Sequence, residues 1–165
     1  MPSDGRSKTL IIGIGNPDRG DDAAGRLVAA RLREQLPGEA RVVESEGEAT
    51  QLLACFAAAD QVILVDAALS GAAPGTITRF AADEAPLPAA RFGISTHGFG
   101  LAEAIELART LGRLPRRCVV YAIEGRNFAP GDRLSPGVEA AVQAVVALVL
   151  ESVGEKAGER CMSTG

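Results

Sequence analysis

The stretch Thr9 to Gly25, TLIIGIGNPDRGDDAAG, restricts the fold more than any other part of the chain. Leu10, Ile11, Ile12 and Ile14 make an apolar run of strand length, interrupted and ended by Gly13, Gly15 and Asn16. After a short polar turn, the adjacent Asp21 and Asp22 lead into a helical pattern. The reading is a strand, a tight turn and a helix start, with two acids at the join. In an open α/β sheet the loops at the carboxyl ends of the strands line the crevice where ligands bind, so acids placed there are candidate site residues. An aspartate at a helix N-terminus also serves as an ordinary cap, satisfying free N–H groups and complementing the macrodipole. Position alone leaves both roles open for Asp21 and Asp22.

A chain of 165 residues fits one domain with a single sizeable core. The expected domain covers 9–151, with flexible termini at 1–8 and 152–165, where the sequence turns polar and glycine-containing. The formal net charge of −4 and the absence of a lysine or arginine cluster argue against nucleic acid or an anionic membrane as the main partner. No apolar run is read as the roughly 20 residues of a membrane span, and MPSDGRSK lacks the apolar core of a signal peptide. A cytoplasmic protein without membrane insertion is the expectation, and a monomer. Cys55, Cys118 and Cys161 are odd in number and far apart, with no CxxC spacing, so neither a disulfide framework nor a zinc site is suggested.

Along the chain, Ala24, Leu27, Val28, Leu32 and Leu36 mark one face of a helix stopped by Pro37 and Gly38. Arg41 to Val43 read as a second strand, followed by the acidic segment Glu44 to Glu48 and a helix near Ala49 to Ala59 with Leu52, Leu53 and Phe56 inward. Gln61 to Ala67, QVILVDA, is a strand buried on both faces that delivers Asp66 to its carboxyl end. Asp66 also suits a plain turn. SGAAPG is a loop and TITRF, Thr76 to Phe80, a short edge strand. ISTHGFG then carries His97, the chain's single histidine, ahead of a helix with Leu101, Ala104, Ile105 and Ala108 on its inner face. CVVYAI is the last buried strand and ends in Glu124. Ser135 and Pro136 suit an N-cap and first helical position, with Val138, Val142, Val145 and Val149 lining the closing helix.

Asp22, Asp66 and His97 thus come from three separate loops at or near one rim. Two carboxylates and an imidazole make a reasonable set for a borderline divalent metal, with positions left open for substrate or water. Other chemistries fit less well. Asp18 stands where the third glycine of a dinucleotide fingerprint belongs. There is no GxxxxGK[ST] loop and no GxSxG elbow. Cys55 and Cys118 sit in apolar surroundings, which do not suit a nucleophile.

GIGNPDRGDDAAG, VILVDA and STHGFGLAEAI, in this order, resemble the three signature regions of the [NiFe]-hydrogenase maturation endopeptidases. The likeness runs from about Leu10 to Leu150 and includes EGRNFAPGDRLSPGVEAAV. It implies a three-layer α/β/α sandwich, phosphorylase/hydrolase-like, on a five-stranded mixed sheet with one antiparallel strand. It also implies an aspartic-type endopeptidase that trims a short C-terminal extension from the hydrogenase large-subunit precursor once nickel is in place. The metal-binding and catalytic residues of that family match Asp22, Asp66 and His97 here. The nickel would belong to the substrate, with no tightly bound cofactor of the chain's own. Either the metal as Lewis acid or a carboxylate as general base would activate water. One departure is ESEGEAT, Glu44 to Thr50, where the family has an aspartate followed by two glycines and a threonine; Glu44 is the candidate replacement.

Two rivals remain. Peptidyl-tRNA hydrolases also open with a strand and a GxGNP turn, but here no histidine follows that turn and the acidic balance offers tRNA little to bind. A nickel-dependent checkpoint that docks on the precursor without cutting it would use the same residues, and product formation separates the two.

Overall fold

A computed structural model describes residues 7–36, 38, 40–88, 92 and 100–162. Strand β1 (Ser7–Ile14) leads through a 3-10 turn (Gly20–Ala23) into helix α1 (Ala24–Gln35), followed by β2 (Ala40–Ser45) and α2 (Ala49–Ala57). Next come β3 (Ala59–Ala68), β4 (Ile77–Ala81), α3 (Leu101–Thr110), β5 (Arg117–Glu124) and α4 (Pro136–Met162). The five strands form one sheet in the order β2-β1-β3-β5-β4. All neighbours are parallel except β4, which runs antiparallel to β5 at the edge, with Ile77 opposite Ile123 and Ala81 opposite Val119. TITRF is therefore the odd strand that the sequence reading anticipated.

Alternation along the strands divides the core into two layers. Leu10, Ile12 and Ile14 of β1 join Val62 and Leu64 of β3 in the layer beneath α2 and α3, with Leu52, Phe56, Ala104 and Ile105. Ile11, Ile63 and Val65 face the opposite way, onto Val28 and Leu32 of α1 and Val142, Val145 and Val149 of α4. This is a three-layer α/β/α sandwich. The inward positions read from periodicity on α1, α3 and α4 are buried, while Leu27, Leu36 and Leu53 pack from the half-buried margin.

Two features of α4 depart from expectation. The helix continues to Met162 rather than ending near Ser152, because Ala157 and the polar Glu155, Lys156, Glu159 and Arg160 are strong helix formers. In addition, Pro136–Glu155 is apolar and long enough to cross a membrane by length and composition, with a mean hydropathy of 1.6, against the expectation that no apolar run reaches that length. Its valine stripe is buried against the sheet, the pattern of a core helix.

The close approach of α1 to the sheet fixes the geometry of the rim. A Cβ on Gly13 would lie 2.2 Å from the Gly25 carbonyl oxygen, and one on Gly25 would lie 2.2 Å from that of Val65 and 2.4 Å from that of Ile14. Only glycine at both positions lets the start of α1 rest directly on β1 and β3.

Candidate functional site

Strand order locates the crevice. From β1 the chain passes through α1 to β2 on one side, and from β2 it returns through α2 to β3 on the other, so the connections diverge between β1 and β3. In open α/β sheets that divergence is where ligands bind, outside the carboxyl ends of the strands. Asp22 follows β1 and Asp66 lies near the end of β3, on the two sides of this point.

The loop after β1 is shaped by its own backbone. Gly15 has φ +140°, and a Cβ there would overlap the Asp22 carbonyl oxygen at 1.8 Å, so the chain folds back tightly onto the 3-10 turn. Asn16 supports the turn: its side-chain oxygen accepts from the Asp18 N–H (2.9 Å) and its carbonyl from the Arg19 N–H (3.3 Å). The Asn16 N–H donates to Asp22 Oδ2 (3.0 Å). Arg19 is tied in turn by its Nε to the Phe128 carbonyl (3.1 Å).

The two neighbouring aspartates have different jobs. Asp21 is fully buried and accepts four hydrogen bonds: from the N–H groups of Arg126 (2.8 Å), Asn127 (2.9 Å) and Ser135 (2.7 Å), and from Ser135 Oγ (2.8 Å). Burial pushes its carboxyl pKa up, but these donors together hold it below the ordinary value. Asp21 is the clasp between the first turn and the loop leading into α4. Ser135 precedes α4, but its hydroxyl serves this clasp, and the Val138 and Glu139 N–H groups bond to its carbonyl instead.

Asp22 is partly exposed, and the one hydrogen bond its carboxylate accepts among the described residues comes from the Asn16 N–H. Burial raises its pKa, opposed by the Asn16 N–H and the charge of Arg19. Asp66, also partly exposed, accepts from the N–H of the adjacent Ala67 (2.8 Å). Its pKa is raised well above the usual carboxylate range, by burial first and then by repulsion from Asp22, with the Ala67 bond opposing. The two carboxylates therefore lie within electrostatic reach of each other, each with one oxygen lacking a donor among the described residues.

His97 lies outside the described residues. Among the described residues no group of three or more His, Cys, Asp or Glu side chains is arranged to hold a metal ion. Asp22 and Asp66 are the two described members of the expected set, and two like-charged carboxylates in mutual repulsion suit a shared cation.

Glu124, to which the sequence assigned no role, is nearly fully buried at the end of β5. Its Oε1 accepts from the N–H groups of Ser70 (2.6 Å) and Gly71 (2.9 Å), and its Oε2 from Ser70 Oγ (2.9 Å). It pins the loop that follows Asp66. Glu44 points elsewhere: Arg33 pairs with it at 3.3 Å and Arg26 at 3.5 Å, both from α1. Within ESEGEAT, Ser45 Oγ accepts from the Gly47 N–H (3.0 Å) and donates to Gln51 Oε1 (2.8 Å), which gives that loop its own internal support. Burial and the nearby Asp83 push the Cys118 thiol up to about 12 against the pull of Arg109, and burial raises Cys55 as well, so neither is a reactive thiol.

A doubly wound α/β sandwich with two under-bonded carboxylates at its switch point belongs to the class of α/β proteins that bind a ligand at the carboxyl ends of their strands. Comparison with known proteins specifies the family. The model of the hydrogenase maturation protease family matches residues 27–152, and the chain belongs to that family of endopeptidases. It is 29% identical over 157 residues to the hydrogenase 2 maturation protease of Escherichia coli (strain K12), covering 92% of this chain and 94% of that protein. The solved structure of the hydrogenase-maturating endopeptidase HybD from E. coli superimposes with a TM-score of 0.75 at 28% identity, covering 90% of this chain and 93% of that one. A hydrogenase 2 maturation peptidase from Thaumarchaeota archaeon SCGC_AB-539-E09 does so with a TM-score of 0.62 at 29% identity, over 89% and 98%.

Proposed function

We propose that this endopeptidase removes a short C-terminal extension from the large-subunit precursor of a [NiFe]-hydrogenase, and that the nickel already in the precursor is what it recognises. The reading rests on the pair Asp22 and Asp66. They stand on the two sides of the switch point within electrostatic reach of each other and stay under-bonded, while Asp21 and Glu124 on the same rim are saturated with donors. Together with His97 they form the set that would hold the substrate's nickel, two oxygens and one imidazole nitrogen, leaving positions open for the scissile carbonyl and water. The metal is then part of the substrate, so only a loaded precursor completes the site.

Within this arrangement Arg19 and the Asn16 N–H steady Asp22, and the Ala67 N–H steadies one oxygen of Asp66. The free oxygen of either carboxylate is placed to take a proton from an attacking water, and nickel would polarise the carbonyl under attack. The experiment is to mix the purified protein with nickel-loaded and nickel-free precursor and follow the precursor by mass, with His97→Ala beside the wild type. Loss of a C-terminal peptide from the loaded form alone, abolished by His97→Ala, is the expected result. Intact precursor that still binds in a nickel-dependent way would replace the endopeptidase reading with that of a checkpoint.

A further inference from the structure

The rim beside Asp66 differs in character from the rim beside Asp22. Around the first turn and the loop before α4, the exposed side chains include Asp18, Arg126, Asp132 and Arg133. On the β4 side of Asp66 no charged residue occurs until Arg79, and the exposed positions are Leu69, Ser70, Gly71, Ala72, Ala73 and Thr76. Leu69 follows β3 directly, three residues after Asp66, and 48% of its surface is open to solvent.

An exposed leucine alone means little. Here the backbone that carries it is held at both ends. Glu124 grips Ser70 and Gly71 through its carboxylate and Gly75 through its carbonyl (2.7 Å). The Thr76 hydroxyl and N–H both donate to the Ala73 carbonyl (2.7 and 3.1 Å). A Cβ on Gly75 would lie 2.3 Å from the Gly137 carbonyl oxygen, so the loop sits directly on the start of α4. A buried carboxylate is spent on fixing a loop whose first side chain is an apolar group left in water. An apolar contact that is already immobile binds without the cost of ordering itself.

We infer that Leu69 is a specificity-determining residue that docks an apolar side chain in an uncharged stretch of the precursor beside the scissile bond. The inference rests on the proposed function, since a polypeptide with one of its bonds at Asp22 and Asp66 must pass over this rim, and on its β4 side the described rim offers only uncharged groups. Leu69 acts in binding and takes no part in proton transfer.

The test is steady-state cleavage of nickel-loaded precursor by the wild type and by Leu69→Ser, Leu69→Met and Leu148→Ser, the last altering an exposed leucine on α4. Leu69→Ser is expected to raise KM roughly tenfold with kcat unchanged, Leu69→Met to restore wild-type KM, and Leu148→Ser to change neither. All four proteins should share one unfolding midpoint, because neither leucine is in the core. Cleavage by the wild type with KM unchanged in Leu69→Ser, or an equal rise in Leu148→Ser, overturns the docking role alone. No cleavage by the wild type overturns the proposed function and the docking role with it.

Discussion

Among the carboxylates at the carboxyl rim of the sheet, four divide into two pairs. Asp21 and Glu124 are buried and saturated: one accepts four hydrogen bonds that tie the first turn to the loop before α4, and the other accepts three that tie β5 to the loop after β3. The carboxylates of Asp22 and Asp66 are partly exposed and accept one described hydrogen bond each; burial raises the proton affinity of both, and the charge of Asp22 raises that of Asp66 further. Identical chemistry thus serves as mortar in one pair and, under the proposed function, as reagent in the other, and the number of donors pointed at each group separates them. Donors that stabilise a carboxylate also use up its lone pairs, so a group meant for a cation or a proton must be left short of them.

This contrast is easiest to break at Asp21. Asp21→Ala leaves three backbone N–H groups and a hydroxyl facing a buried void and should cost about 3–5 kcal/mol, read as a lowered midpoint in urea. Next in size are Asp22→Asn and Asp66→Asn, each expected to slow precursor cleavage by at least about 100-fold, with the far-ultraviolet spectrum and cooperative unfolding of the wild type retained. If either of these unfolded the protein instead, the division into two pairs would fail. Glu124→Ala should cost about 2–3 kcal/mol and show first as faster hydrogen exchange at the Ser70 and Gly71 amides.

The smallest effect is the most discriminating. Asp66 has a folded pKa above the 3.8 of an ordinary aspartate, so the unfolded chain releases this proton first and stability falls as pH rises from about 3.8 through the folded value. Asp66→Asn should therefore stabilise the neutral-pH protein by ~1 kcal/mol while removing activity. Asp21 carries the opposite sign. Its folded pKa lies below 3.8, so its contribution is complete above that pH and disappears as pH falls through the lower value. Unfolding midpoints of Asp66→Asn and Asp21→Asn between pH 2 and 8 would show opposite slopes relative to wild type.

Much of this could be read from the chain. The strands, their burial on both faces and the inward stripes of α1, α3 and α4 follow from apolar periodicity, a local property. That Asp22 and Asp66 lie near the carboxyl ends of β1 and β3 was legible because Asp66 ends an apolar run and Asp22 stands in the turn that follows one. The division of labour between Asp21 and Asp22 was not, since Asp21 finds its partners 105 to 114 residues away and nothing local announces them. Glu124 escaped for the same reason: it binds a loop more than 50 residues earlier in the chain. The end of α4 was misjudged because polarity was taken to stop a helix, whereas polar residues of high helical propensity extend one.

The contact of Gly25 with the carbonyls of Ile14 and Val65 has a consequence for how such enzymes diversify. Gly25 stands three residues after Asp22, and Val65 immediately precedes Asp66. The separation of the two acids is thereby gauged by bare backbone resting on bare backbone, with no side chain in between whose exchange could alter it. Loops around the rim can change in sequence while the span between the two acids stays at its original setting, so the surface offered to a client protein and the spacing of the carboxylates can evolve on separate clocks.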